Sequence, residues 1–144
     1  MMVDTNILAQ AVSRASTSQQ TADRFLTRLI DGQKTWHLTW PILYDFVRTV
    51  SDPNVFYEPL RPDEIRKFLD RLLACSSLRI LLETEKHAQV FLDLLKKNPD
   101  LPPDEFKRLH TVAVMTEHGV TELAVGAGDY SRFPQLVVRR PLSK

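Results

Sequence analysis

The stretch MMVDTNILAQAV, residues 1–12, holds the first decision about the fold. An apolar patch, Met1 to Val3, stops at the polar triplet Asp4-Thr5-Asn6, and a second patch, Ile7 to Val12, follows before the polar run Ser13 to Gln20. A run this short predicts a buried strand that ends in a polar triplet at its carboxyl end. Downstream, apolar residues recur at three and four positions in Ala22, Phe25, Leu26, Leu29 and Ile30, and Asp31-Gly32 supplies a stop, so an amphipathic helix is predicted there. Thr35 to Leu38 reads as a strand. Thr39 is the expected N-cap of a helix through Ile42, Leu43, Phe46, Val47 and Val50, closed by Ser51-Asp52-Pro53-Asn54.

The same alternation continues to the end of the chain. Arg61-Pro62-Asp63-Glu64 opens a helix with Ile65, Phe68, Leu69, Leu72 and Leu73 as its inner stripe. Leu78 to Leu82 follows as a strand. A helix is expected from Thr84 to Leu95, and another from Pro102-Pro103-Asp104-Glu105 to Glu117-His118, with Gly119 as its C-cap. Leu123 to Val125 and Leu136 to Val138 complete the set of strands. Short apolar strands alternating with longer helices predict an α/β fold whose short, mainly parallel sheet is covered on both faces, a three-layer α/β/α sandwich. No repeat or flexible linker divides the chain, so residues 1–144 are expected to form one domain.

Composition narrows the function classes. The 144 residues carry 19 Lys+Arg against 18 Asp+Glu, and 43% are hydrophobic, so the chain is neither a polybasic tail nor disordered. Any nucleic acid has to be held by a local patch. Cys75 is the only cysteine, no Cys/His spacing suits structural zinc, and the four histidines form no evident ligand set. Without a leader-like start or an apolar run of about 18 residues, a cytoplasmic protein with no membrane partner is expected. The absence of a glycine-rich phosphate loop after Val3 argues against a nucleotide-type small-molecule enzyme.

In an open parallel sheet, ligands gather outside the carboxyl ends of the strands. Asp4 lies at such an end, Asp129 lies in the loop after Leu123 to Val125, and Asp45 lies on a partly buried helix between them in sequence. Three carboxylates in one cleft repel one another unless a divalent cation neutralises them, and oxygen donors with retained waters suit Mg²⁺ or Mn²⁺. Each acid also has a plainer reading. Asp4 suits an N-cap, Asp45 has Arg48 three residues on as an ion-pair partner, and Asp129 suits an ordinary loop.

Four stretches carry a resemblance: V-D-T-N-I-L (residues 3–8), W-P-I-L-Y-D-F-V-R-T-V-S-D-P-N-V-F (40–56), H-T-V-A-V-M-T-E-H-G (110–119) and G-D-Y-S-R-F-P-Q-L-V-V-R-R-P-L (128–142). Their order and spacing resemble a PIN domain, more narrowly the VapC-type toxin ribonucleases of bacterial toxin-antitoxin pairs. The resemblance implies Mg²⁺- or Mn²⁺-dependent hydrolysis of RNA, with Asp4, Asp45 and Asp129 as catalytic and metal-holding acids and Asn6 supporting Asp4. It also implies a homodimer and a small antitoxin protein as partners. The chain departs from the family pattern in three places. Asp45 stands where the family has Glu, which shortens the reach by about 1.5 Å, a large step for a metal ligand. Arg108 and Ala127 stand where acids are usual, with Asp104 one turn before Arg108 as a substitute. A PIN-fold module with weak or no catalysis, binding RNA or a protein partner, is the alternative that these departures raise.

Overall fold

The structure, a computed structural model, describes residues 1–143. Five strands form one all-parallel sheet in the order β3-β2-β1-β4-β5, with β1 at Met2–Val3, β2 at Trp36–Leu38, β3 at Leu78–Ile80, β4 at Glu122–Ala124 and β5 at Val137–Arg139. The helices are α1 (Thr5–Val12), α2 (Gln19–Asp31), α3 (Trp40–Ser51), α4 (Pro62–Leu73), α5 (His87–Lys97) and α6 (Phe106–His118). A 3-10 turn, Pro103–Glu105, leads into α6. The chain steps from β1 out to β3 through α1 to α4, and the right-handed rule for parallel crossovers puts these helices over one face. The return from β3 to β4 then carries α5 and α6 over the other.

The second apolar patch of the opening stretch is a helix. Ile7, Leu8, Ala9 and Ala11 of α1 are buried while Asn6 and Gln10 are half-buried, a pattern too short to have a legible period in sequence. Asp4 caps this helix by accepting a hydrogen bond from Thr5 N at 2.9 Å. The helix expected from Thr84 begins instead at His87, because Thr84 N and Oγ1 both donate to Glu117 Oε1, each at 2.8 Å. Thr39 caps α3 as expected, accepting from Ile42 N at 3.2 Å. Gly119 ends α6 with φ +68°, the left-handed conformation that favours glycine.

Trp36, Phe46, Met2, Ile7, Leu8, Leu26, Leu38, Leu72, Leu109, Met115 and Leu123 are shielded from solvent between the layers. The inner stripe of α2 is therefore core, with Phe25, Leu29 and Ile30 packed at its margin. Of the two tryptophans, Trp36 is core, with its Nε1 donating to Ser77 Oγ at 3.0 Å, whereas Trp40 at the start of α3 is exposed. No helix among the described residues is long and apolar enough to cross a membrane.

The strand order places the site. From β1 the chain moves one way to β2 and β3, then returns to the other side of β1 as β4. This reversal opens a crevice at the carboxyl ends of β1 and β4. Asp4, directly after β1, is tied across it by Asp4 N donating to Ala124 O at 3.0 Å.

Candidate active site

A cleft of about 400 Å³ occupies the crevice, lined by Asp4 and Asn6 after β1, Asp45 and Arg48 of α3, Lys107, Arg108 and Thr111 of α6, and Tyr130 of the loop after β4. The structure thus brings Asp4 and Asp45 to one space from stretches some forty residues apart.

The two acids are held differently. Asp4 Oδ1 accepts from Thr5 N and Oδ2 accepts from Tyr130 Oη at 2.9 Å. Burial pushes its carboxyl above the usual aspartate range; the Tyr130 and Thr5 bonds and the more distant charges of Lys107 and Arg108 offset only part of that. Tyr130 is itself buried, and burial together with the Asp4 charge pushes its phenol well above the ordinary range. Its hydroxyl remains a donor throughout the physiological range. Asp45 has the opposite balance. Burial would raise its carboxyl too, but Arg48 Nη2 at 2.9 Å, Lys107 Nζ at 3.4 Å and the Thr5 hydroxyl outweigh burial and hold it below the usual range. The Arg48 partnership expected from sequence is present. Lys107, absent from the sequence reading, is a second cation on the same carboxylate.

Asp129 does not line the cleft. Its side chain is exposed and turned into its own loop, where Oδ1 accepts from Ser131 N at 2.9 Å. That local turn, followed by its nearby charges, holds its carboxyl below the usual range. Only its backbone faces inward, Asp129 O accepting from Arg108 Nη1 at 3.1 Å. Asp104 is likewise exposed and away from the cleft. Its neighbour Glu105 pairs with Arg108 at 3.3 Å. The Arg108 guanidinium therefore leans over the Tyr130 ring, 5.1 Å from its centroid, at the wall of the cleft, and no ion pair joins it to Asp4 or Asp45 among the described residues. Two glycines admit this arrangement. A Cβ on Gly126 would lie 2.0 Å from Asn6 Oδ1, and Gly128, at φ +99°, sits where a Cβ would be 2.7 Å from Arg108 Nη2.

The histidines correct one expectation. His87 and His110 converge with Glu83, so two of the four do share a potential ligand cluster.

Comparison with known proteins gives the context. The chain is 30% identical over 143 residues to ribonuclease VapC43 of Mycobacterium tuberculosis, covering 99% of this chain and 95% of that protein. The chain belongs to the VapC ribonuclease family. Ribonuclease VapC48 of the same species is 26% identical over 143 residues, covering 97% and 96% of the two chains. No family model matches the chain. Among solved structures, VapBC2 from Rickettsia felis bound to a DNA fragment from its promoter superposes with a TM-score of 0.67 at 18% identity, covering 96% of each chain. Mycobacterium tuberculosis VapC20, a sarcin-ricin loop cleaving toxin, gives 0.60 at 14% identity over 91% of each. The fold of this VapC-family chain is thus the PIN fold read from the sequence.

The donor set in the cleft fits one hard divalent ion. Mg²⁺ binds through one or two carboxylates while keeping most of its waters. Asp4 and Asp45 supply two, Asn6 lines the same cleft, and Asp4 is a desolvated carboxylate short of positive charge.

Proposed function

We propose that this chain is an Mg²⁺- or Mn²⁺-dependent endoribonuclease of the VapC toxin type, hydrolysing RNA phosphodiester bonds in the crevice between β1 and β4. The observation that carries the reading is the meeting of Asp4 and Asp45 in one cleft with Arg48, Lys107 and Arg108 around them. Two anions suit a divalent cation, and three cations suit a polyanionic backbone.

In this reading Asp4 and Asp45 hold the ion, and Asp129 joins them only by releasing Ser131 N. A bound divalent ion supplies Lewis-acid polarisation of the scissile phosphoryl group. Tyr130 keeps its proton and uses it to hold Asp4 Oδ2 in place. Arg48 and Lys107 neutralise Asp45 in the free protein and, lining the same cleft, are the cations that would contact phosphate oxygens of a bound RNA. Arg108, braced by Glu105 and stacked on Tyr130, fixes the path of the RNA backbone at the wall. A small antitoxin as inhibitor, a homodimer and a cytoplasmic location belong to the same proposal. The Rickettsia felis VapBC2 assembly supports the first of these.

Calorimetric titration of Mn²⁺ into the wild type and Asp4→Asn tests the metal site. One ion per chain in the wild type, with affinity at least tenfold weaker in the variant, supports the reading; equal affinities reject it. If the wild type binds RNA but no divalent ion, the chain is a PIN-fold binding module instead.

A further inference from the structure

Outside the cleft, a second cluster brings together side chains of a different chemical kind. Glu83 follows β3, His87 opens α5 and His110 lies on α6, and a ligand-capable atom from each lies within 4.8 Å of the other two. Lys107, Arg108 and Thr111 line the cleft from α6, whereas His110 stands about 100° round the helix from the middle of that face, toward α5. The cluster is thus separate from the acids Asp4 and Asp45.

Its supporting groups are arranged as for a metal-binding imidazole. His87 Nδ1 meets Glu117 Oε2 at 2.7 Å, and the Glu117 side chain is completely shielded from solvent. The other Glu117 oxygen accepts from Thr84 N and Thr84 Oγ1, so the carboxylate is fixed as an acceptor. It therefore keeps a proton on His87 Nδ1 and leaves the Nε2 lone pair free. A carboxylate behind a histidine in this way both orients the ring and makes it a better ligand. Phe91, stacked on His87 at 6.2 Å between centroids, restricts the ring further. His110 Nε2 donates to Glu83 Oε1 while His110 Nδ1 has no partner, so in the ion-free protein the carboxylate keeps the proton on Nε2. An ion held by Nε2 and Glu83 would take the place of that proton, which moves to Nδ1.

We propose that Glu83, His87 and His110 form a second metal site, selective for a borderline transition ion of the Zn²⁺ class. The two imidazoles are donors that Mg²⁺ avoids, and two imidazoles with one carboxylate form a set that suits Zn²⁺. The Glu83 side chain is 47% exposed, His87 28% and His110 23%, so the fourth position opens to solvent and takes water. An ion there clamps the segment after β3 and the start of α5 onto α6, the helix that also carries Lys107 and Arg108.

The test is Zn²⁺ titration of the chelator-stripped full chain at pH 7.5, by calorimetry and by competition with a chromogenic chelator. One Zn²⁺ per chain with Kd below about 10 µM is expected. Glu83→Gln, an exposed change that leaves the fold intact, weakens binding about tenfold, and His110→Ala about a hundredfold. Asp4→Asn leaves Zn²⁺ affinity unchanged, which separates this site from the cleft whatever the cleft binds. Co²⁺ in place of Zn²⁺ gives visible d–d absorption that Glu83→Gln alters. A Kd above about 10 µM, unchanged affinity in both Glu83→Gln and His110→Ala, or loss of Zn²⁺ in Asp4→Asn overturns the proposal.

Discussion

Tyr130 Oη donates to Asp4 Oδ2 at 2.9 Å, joining residues 126 positions apart across the switch point of the sheet. A phenol that stays protonated beside a buried carboxylate favours the ionised form of that carboxylate. Tyr130→Phe removes the donor and raises the Asp4 pKa further. The acid limb of the cleavage rate therefore moves to higher pH, while the rate at pH 8.5 changes less. A pH–rate profile of both proteins checks this, and an unshifted limb contradicts it.

Asp4→Asn makes the metal-free protein more stable at neutral pH. The folded-state pKa of Asp4 lies above its unfolded value, so the folded chain binds the proton more tightly and stability falls as pH rises through that window. Asparagine keeps an acceptor for Thr5 N without the buried charge. A gain in unfolding free energy is expected in chelator above the raised pKa, fading as pH drops toward 3.8. Urea unfolding across pH measures it; a loss of stability at pH 8 counts against the burial argument.

Lys107→Ala strips one of the two cations from Asp45. The Asp45 carboxyl rises from its lowered position, and Mn²⁺ gains affinity two- to fivefold because it no longer displaces that charge, about 0.4–1 kcal/mol. Calorimetry against the wild type measures the change; weaker Mn²⁺ binding makes Lys107 a supporting group rather than a competitor.

Arg108→Asp places a carboxylate where the family's third acid stands. It also removes the Glu105 pair, the bond to Asp129 O and the stacking on Tyr130. Divalent affinity rises about tenfold or more, since the change adds an oxygen donor and removes two units of positive charge from the cleft wall. Cleavage in limiting Mg²⁺ rises with it. Flat affinity places the Arg108 position outside the metal's reach.

Gly126→Ala drives a methyl group to 2.0 Å from Asn6 Oδ1, and that amide must leave. Cleavage falls at least tenfold with far-UV circular dichroism unchanged. Full activity in this variant makes Asn6 dispensable.

The frame of the site is legible in the sequence because local chemistry and position coincide there. Asp4 ends a strand and caps a helix at once, so one residue type satisfies both demands, and Thr39 fixes the start of α3 and hence the placement of Asp45. Asp129 misleads for a similarly local reason. Its side chain satisfies Ser131 N two residues on, a bond within the loop that wins over the cleft. Lys107 carries no signal of its own, since a basic residue early in a helix is ordinary until tertiary packing lays it on Asp45. The pairing of His87 with His110 is hidden for the same reason, because only the packing of α5 on α6 creates it.

Cleavage of a defined RNA under single-turnover conditions, in Mg²⁺ or Mn²⁺ and in chelator, with wild type beside Asp4→Asn and Asp45→Asn, bears most directly on the central claim. The account predicts ion-dependent cleavage by the wild type and a loss of at least a hundredfold in each variant, with folding intact. Cleavage that persists in chelator, or that either variant retains at the wild-type rate, contradicts it.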